Sequence, residues 1–385
     1  MGRKIRVGLV YGGRSGEHEV SLQTALSVAR AFDYGRYELI PFFIDKQGKW
    51  RSGPPLTAPP ESVEQLMLGP GEAGAAAGGD IHPATGASAI IPFVRGMLAE
   101  AEREEAGREE DGPAIDVMFP LLHGTFGEDG TIQGLFEMAG VPYVGAGVLA
   151  SAAGMDKVIM KQLFRQAGLP VANFIHFTKY EWNRDRERIL AEAEERLGYP
   201  CFVKPANLGS SVGVSKARKR EELAAAIEKA LQFDRKVLVE EFIDAREIEV
   251  SVLGNDEPRA SVPGEIVSSN EYYDYNAKYV DGKSVMIIPA EIPPETAEEA
   301  RAMAVRAFRA IDCSGLCRAD FFLRRSDGKL LINEVNTMPG FTQFSMYPQL
   351  WKASGLSYPE LLDELIRLAL ERFRERQSLK YGERE

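Results

Sequence analysis

Short apolar runs and helically spaced apolar positions alternate in the first 150 residues. Residues 5–10 form an apolar run that meets two glycines, and apolar side chains at 22, 25, 26 and 29 then follow the spacing of one helix face. Further apolar runs at 37–44 and 116–122 predict a second and a third strand. This order of strand, glycine turn and helix is typical of an open α/β sheet.

The pattern changes near residue 155. A helical stripe through Met160 and Phe164 ends at the stop signal Gly168-Leu169-Pro170, which indicates the start of a second domain. Later strands are predicted at 201–204, 236–243, 247–253, 316–322 and 330–336, with helices through 223–231, 300–308 and 362–369. We predict an α/β fold (α+β overall) with domains at 1–154, 155–245 and 246–385, the first being an open, Rossmann-like α/β domain.

Composition and charge narrow the class of protein. The 385 residues are 44% hydrophobic and 27% charged, enough for two or three cores. No apolar stretch approaches the roughly 20 residues that span a bilayer, and no secretion signal is predicted. Cys201, Cys313 and Cys317 lack metal-type spacing and are predicted to be reduced core residues of a cytoplasmic protein. The net charge of −11 argues against a nucleic-acid or acidic-membrane partner.

Two predicted strands near the C-terminus carry charge within apolar sequence. Side chains alternate along a strand, so Arg318 and Asp320 share one face, as do Glu334 and Asn336. If the strands pair, the oxygen ligands of a magnesium ion could converge beside a nucleotide. A buried salt bridge that Arg318 forms with the carboxylates is the alternative interpretation.

A glycine- and serine-rich segment, 204–213, follows a predicted strand. Its backbone N–H groups, the Ser210 and Ser211 hydroxyls and Lys204 could bind phosphates, although the segment is not a Walker A loop and could be an ordinary surface loop. The strand at 237–243 ends in acidic residues, which could build an adenine slot or be solvated charges.

Two glycine-rich turns follow strands of the predicted N-terminal sheet. They contain Glu17 and His123. Open α/β sheets bind ligands beyond the carboxyl ends of their strands, so these residues are placed to meet a small polar substrate. Capping of a helix is the simpler role for either residue.

Taken together, these segments resemble those of the D-alanine–D-alanine ligases, a family of the ATP-grasp superfamily. The resemblance runs in order from Gly12 to about Pro348 and so covers nearly the whole chain. The matching segments are GGRSGEHEVSL, HGTFGEDGT, MDK, VKPANLGSSVGVSK, EYYDYNAKY, CRADFF and NEVNTMPGFT.

The resemblance implies a three-domain ATP-grasp architecture with ATP between the central and C-terminal domains. It further implies ligation of two D-alanine molecules through a D-alanyl phosphate, with release of ADP and phosphate, for peptidoglycan precursor synthesis. The implied cofactor is Mg²⁺, as two ions that Mn²⁺ could replace, with ATP as co-substrate. A homodimer is the implied assembly.

The resemblance also assigns roles to residues. The ATP-binding set is Lys157, Lys204, Ser211, Glu240, Glu241, Phe242, Ile243 and Glu247, and the metal ligands are Asp320, Glu334 and Asn336. The substrate-binding set is His123, Lys278, Ser345 and Met346. The catalytic set is Glu17, Ser210, Tyr279, Arg318 and Gly340, in which Arg318 and the Gly340 amide form the oxyanion hole and the other three the base relay.

The segment 271–281 resembles the mobile omega loop of the family and is expected to act as a lid that excludes water. In the family, a tyrosine at the position of Tyr279 accompanies D-alanine as second substrate. This chain departs from the shortest members by a longer stretch between Gly48 and Pro113, and it has Glu241 where some relatives have lysine.

Two other functions remain open at the level of sequence. The chain could be another ATP-grasp carboxylate–amine or depsipeptide ligase, which acceptance of a hydroxy acid would distinguish. It could also be a non-catalytic nucleotide-binding protein on the same scaffold, since fold does not fix function. An oxyanion donor such as Arg318 argues against the latter.

Overall fold

The computed structural model describes residues 3–68, 115–267 and 285–380, which form three sheets with helices packed on them. The first sheet has the order β3-β2-β1-β4. Its strands are β1 (Ile5–Gly12), β2 (Tyr37–Ile44), β3 (Trp50–Ser52) and β4 (Val117–Pro120). β1 pairs in parallel with β2 and β4, and helix α1 (His18–Ala31) follows it, which confirms the predicted open α/β sheet.

Three helices lead from the first sheet towards the second: α2 (Thr131–Met138), α3 (Val148–Met155) and α4 (Lys157–Gln166). The Asp156 carboxylate caps α4 by accepting hydrogen bonds from the backbone N–H groups of Val158 and Ile159. Met160 and Phe164 on α4 are buried in the core of the third sheet. Val158 is buried with Phe174 and Leu238 of the second sheet, so α4 lies between the two later sheets.

The second sheet is antiparallel and has the order β5-β8-β6-β7. Its strands are β5 (Phe174–Thr178), β6 (Cys201–Pro205), β7 (Ser215–Ala217) and β8 (Lys236–Glu241). Helices α5 (Lys179–Arg184), α6 (Arg186–Arg196) and α7 (Arg220–Ala230) accompany it. The predicted strand 236–243 is real but ends two residues early, at Glu241.

The third sheet, of order β12-β11-β9-β13-β14 with β10 paired to β9, carries the charged strands. Its strands are β9 (Ala245–Gly254), β10 (Arg259–Ala260), β11 (Gly264–Val267), β12 (Val285–Ile287), β13 (Gly315–Arg324) and β14 (Leu330–Asn336). Helix α8 (Pro294–Ala310) buries Met303, Ala304 and Phe308 in the hydrophobic core of this sheet. β13 and β14 pair antiparallel, as the charged pattern required, with an irregular register after Asp320.

The chain returns to the first sheet at its C-terminal end. Helices α9 (Met346–Ala353) and α10 (Tyr358–Gln377) bury residues such as Leu361 and Leu365 in one core with Val7 and Phe119. The Tyr37 hydroxyl also donates to the Asp363 carboxylate at 2.6 Å. The first hydrophobic core is therefore built from both ends of the chain.

All three cysteines are free and buried, as predicted. Of the described residues, no helix is long and apolar enough to span a bilayer. The lid segment 271–281, Lys278 and Tyr279 lie outside the described residues, as does most of the stretch 48–113. The domain boundaries stay predictions.

Candidate active site

A cleft of about 390 Å³ lies between the second and third sheets. The glycine-rich loop, the end of β8 and the strands β9, β13 and β14 form its walls. This volume falls in the range of small-molecule sites. Of the residues that the sequence singled out, those lining it are Lys157, Lys204, Ser210, Ser211, Glu240, Glu241, Phe242, Ile243, Glu247, Arg318, Asp320 and Glu334.

Four polar residues lie on the wall strands β13 and β14. Three of them, Arg318, Asp320 and Glu334, line the cleft, and Asn336 is outside the set of residues that line it. The ladder sets Asp320 opposite Glu334 and Arg318 opposite Asn336. The Arg318 guanidinium donates from Nε and Nη2 to the two Asp320 oxygens, both at 2.7 Å, and Nε lies 3.1 Å from Glu249. Burial opposes the charge on Arg318, but Asp320 and Glu249 outweigh it and raise the pKa of Arg318 well above its usual value. The salt bridge that was the alternative interpretation is therefore present, and the ladder also sets Asp320 beside Glu334.

The same wall offers oxygen ligands to a divalent cation. The Glu334 side chain is 29% exposed, and the Asn336 Oδ1 accepts a hydrogen bond from the Met338 N–H at 3.0 Å. Within the described ranges, no cluster of three or more His, Cys, Asp or Glu side chains has metal-binding geometry. Two carboxylates and an amide oxygen instead suit magnesium, which takes few protein ligands beside phosphates and waters.

Lysines line the opposite wall and reach both sides of the cleft. Lys157 Nζ donates to the Leu208 carbonyl at 2.8 Å and lies 3.6 Å from the Glu334 carboxylate. Lys204 Nζ lies 2.7 Å from Glu240. The Lys157 ammonium group is thus held within reach of the glycine-rich loop. The Lys204 ammonium group lies at the strand that precedes this loop.

Glu240 is buried between two lysines. Its side chain is 2% exposed, and its carboxylate pairs with Lys161 at 2.6 Å and Lys204 at 2.7 Å. Burial opposes ionisation, but the two ammonium groups outweigh it and lower the pKa of Glu240 to about 2. The interpretation of a solvated strand end is therefore wrong for Glu240, whose carboxylate is engaged by lysines.

The residues after Glu240 form one end of the cleft. Phe242 packs near Phe202, with ring centroids 6.2 Å apart, and Lys216 Nζ lies 4.1 Å from the Phe242 ring. The Glu241 carboxylate accepts a hydrogen bond from the Asn173 N–H at 2.6 Å. Flat apolar surface beside the backbone of 241–243 is the kind of slot that a purine base occupies.

The glycine-rich loop has a constrained backbone. Ser210 and Ser211 have φ angles of +50° and +57°, in the left-handed region that non-glycine residues seldom adopt. The Ser210 hydroxyl donates a short hydrogen bond to the Glu17 carboxylate. The structure therefore brings together two members of the predicted base relay that are 193 positions apart in sequence.

His123 is a buried histidine at the interface between the first sheet and the loop after β14. Its Nδ1 lies 3.2 Å from the Met338 carbonyl, and its Nε2 lies 3.1 Å from the Thr24 hydroxyl. Burial alone would lower the pKa of His123, but Glu128, 3.7 Å away, and Glu17 outweigh it and raise the pKa. His123 is thus held in place by contacts on both sides.

Gly340, Ser345 and Met346 lie beside the cleft, outside the set of residues that line it. A Cβ on Gly340 would stand 3.2 Å from the Ser345 hydroxyl, which accepts the Thr342 N–H at 3.1 Å. Met346 is buried with Ile266, a residue of the cleft wall. The structure therefore places this group next to the cleft through Ile266.

Two sequence models of one family match this chain. "D-ala D-ala ligase N-terminus" covers residues 6–146, and "D-ala D-ala ligase C-terminus" covers residues 163–367. The chain belongs to the D-alanine–D-alanine ligase family. Curated members from Bacillus cytotoxicus and Bacillus licheniformis, both named D-alanine–D-alanine ligase, are each 54% identical to it over 98% of this chain and 99% of their own.

Solved structures of the ligase family share the fold. The D-alanine-D-alanine ligase from Coxiella burnetii is 31% identical, with a TM-score of 0.74 over 97% of this chain and 96% of its own. The VanG D-Ala:D-Ser ligase from Enterococcus faecalis is 33% identical, with a TM-score of 0.75 over 95% of this chain and 100% of its own. The ATP-grasp fold predicted for the chain is thus confirmed.

Two buried residues of this ligase-family site were missed by sequence reasoning. Glu249 lies opposite Asp320 in the β9–β13 ladder and contacts Arg318. Its alternation with Glu247 along one strand was the available signal. Lys161 follows Lys157 by four positions, which places both on one face of α4, but a lysine at that spacing is more often a solvated residue than a buried one.

Proposed function

We propose that the protein joins two D-alanine molecules into D-alanyl-D-alanine and converts ATP into ADP and phosphate. The observation that carries this proposal is the cleft in which lysines face the wall that carries Asp320 and Glu334. On the same cleft, a hydrogen bond from the Ser210 hydroxyl links the glycine-rich loop to Glu17. Relatives named for this reaction align over 98% of the chain. The activity supplies a building block of peptidoglycan.

ATP occupies the cleft with its adenine against Phe242 and the backbone of 241–243 and its ribose near Glu247. Lys157, Lys204 and the backbone of the Ser210–Ser211 turn then meet the phosphates. Support comes from the placement of these residues on the walls of one cleft and from the lysine charges beside it.

A divalent cation completes the phosphate site, and Asp320, Glu334 and Asn336 would hold it. We propose Mg²⁺ as two ions, with Mn²⁺ as a substitute, because hard oxygen ligands beside a triphosphate favour such ions. The metal, when bound, offsets the negative charge of the phosphates.

The residues of the chain orient two successive attacks. The carboxylate of the first D-alanine, bound near Glu17 and His123, attacks the γ-phosphoryl group, which forms an acyl phosphate and releases ADP. The amine of the second D-alanine, bound near Ser345, then attacks the acyl carbon, and phosphate leaves as the peptide bond forms. Arg318 and the Gly340 N–H stabilise the oxyanion that forms there. Ser210 and Glu17, with Tyr279, assist removal of the amine proton.

Phosphate release from Mg-ATP tests the function. The purified full chain is assayed with D-alanine, L-alanine, D-alanine plus D-serine and D-alanine plus D-lactate, and products are identified by mass. We expect release that depends on D-alanine, yields the dipeptide and stops when EDTA removes the metal. Turnover only with another acceptor would overturn the substrate, and silence with every mixture would favour the non-catalytic scaffold. The D-serine arm is included because a structural neighbour is named a D-Ala:D-Ser ligase.

Ser210→Ala tests the contact between the glycine-rich loop and Glu17. Loss of a hydrogen bond to a charged group is expected to lower kcat/KM for D-alanine by about tenfold to a hundredfold, because such bonds contribute about 1.5–3 kcal/mol. The KM for ATP should change much less. Ser211→Ala, at the adjacent left-handed residue assigned to ATP, is the comparison, and it should change the KM for ATP more than kcat/KM for D-alanine. Equal kinetics for the Ser210 variant and the unmodified chain would remove Ser210 from the relay.

We also propose that the protein is cytoplasmic and acts as a homodimer. Its three free, buried cysteines suit a reducing compartment. The dimer rests on the family resemblance, and light scattering of the purified chain tests it.

A further inference from the structure

Lys161 is a buried lysine of α4 that does not line the cleft. Its side chain is 1% exposed, and its Nζ lies 2.6 Å from Glu240 Oε1. The same Nζ donates to the Asn333 carbonyl at 2.8 Å. Burial lowers the pKa of Lys161, and the Glu240 charge opposes that effect. Burial of a charged lysine costs free energy, and these two contacts offset that cost.

The first contact affects the charge that the cleft receives. Lys204 lines the cleft and shares the Glu240 carboxylate with Lys161. Two ammonium groups around one carboxylate leave one net positive charge. If Lys204 were the only partner of Glu240, the carboxylate would cancel its charge. With Lys161 present, Lys204 keeps a positive field for a polyanion.

The second contact supports the carboxylate wall. In the β13–β14 ladder, Asp320 pairs with Glu334 and Phe321 pairs with Ile332, so Asn333 is the extra residue of a bulge. The Asn333 carbonyl accepts a hydrogen bond from the Lys161 ammonium group. The bulge lets Glu334 stand opposite Asp320 on the cleft wall. Lys161 therefore joins the strand that carries Glu240 to the strand that carries Glu334.

We propose that Lys161 is a positioning residue for ATP binding, which neutralises Glu240 so that Lys204 serves the phosphates and which fixes the Asn333 bulge beneath Glu334. This role rests on the proposed function and deepens it, because it assigns the charge balance of the nucleotide site to a residue that touches no substrate.

Lys161→Met is the first variant, since methionine has an unbranched side chain without charge. The variant should fold, because Glu240 keeps Lys204 as its partner. We expect the KM for Mg-ATP to rise about tenfold, the equivalent of about 1.4 kcal/mol, as Lys204 becomes neutralised. The KM for D-alanine should change little. Calorimetric titration with Mg-ADP should show the same weakening as the KM for ATP.

The double variant Lys161→Met/Glu240→Gln separates positioning from structure. It removes the carboxylate that would neutralise Lys204, so we expect nucleotide binding to recover part of the loss seen in the single variant. A merely structural role predicts the opposite, a further loss as a second buried contact disappears. An unchanged KM for Mg-ATP in Lys161→Met, or a double variant weaker than the single one, overturns the proposal.

Lys236→Met is the matched control. Lys236 on β8 forms an ion pair with Asp156, the cap of α4, and so joins the same two elements outside the cleft. Nucleotide binding as weak in this control as in Lys161→Met would also overturn the proposal. Mg-ADP titration reports on Lys161 even if the unmodified chain ligates no D-alanine, so failure of the proposed function is told apart from failure of this inference.

Discussion

Replacing Arg318 with alanine is expected to lower kcat by at least about a hundredfold while ATP still binds, since removal of one oxyanion donor costs about 10²–10³ in rate. The described contacts of Arg318 use Nε and Nη2, and a guanidinium has two further N–H groups on Nη1. Those donors are available to an oxyanion while Asp320 holds the fork in place. Steady-state kinetics and titration with Mg-ADP measure the two effects separately.

The same strand supplies the control for Arg318. Arg324 on β13 donates hydrogen bonds from Nε and Nη2 to the two Asp327 oxygens at 2.8 and 2.7 Å, in the same two-bond geometry. Arg324 lies outside the cleft. Arg324→Ala should therefore leave turnover near normal. Arg318→Lys keeps the charge and loses the planar fork, so it should recover little activity. Normal turnover in Arg318→Ala would exclude Arg318 from the mechanism.

Replacing Glu240 with glutamine is expected to destabilise the protein by about 3–5 kcal/mol at pH 7, because the buried Lys161 and the partly buried Lys204 lose their counter-charge. The effect depends on pH. The folded pKa of about 2 lies below the usual 4.5, so the carboxylate stabilises the fold above pH 4.5. That contribution is lost as the pH falls from 4.5 towards 2.

Urea unfolding of the Glu240→Gln variant and the unmodified chain at pH 7 and pH 3.5 measures this. The difference in unfolding free energy between them should shrink at the lower pH, where the natural carboxyl is largely protonated in the unfolded chain but still ionised in the folded protein. Glu241→Gln is the neighbouring control, since an amide oxygen can still accept the Asn173 N–H. A difference that stays constant with pH would contradict the buried-charge account.

Local pattern was sufficient to predict the elements that carry the site. The alternation along 316–322 and 330–336 set Arg318, Asp320, Glu334 and Asn336 on shared faces, and the ladder confirms the pairing. The strand at 37–44 matches its predicted limits. These predictions succeed because side-chain direction within one strand follows from the backbone alone.

Contacts between distant segments could not be predicted from local pattern. The Ser210–Glu17 pair was expected only from family resemblance, and the partners of Glu240 depend on where α4 packs against β8. At the Asn333 bulge, the backbone carbonyl bonds to Lys161 of α4, a residue distant in sequence. Such contacts require the packed arrangement of whole sheets, which periodicity does not encode.

The docking of α10 on the first sheet has a consequence for the order of assembly. Leu361 and Leu365 complete a core that begins at Val7, and Asp363 bonds to Tyr37 326 positions earlier. During synthesis the amino-terminal segment therefore emerges long before its last packing partner. Closure over so long a loop is slow. The second sheet, whose strands lie between residues 174 and 241, can bury its own core first.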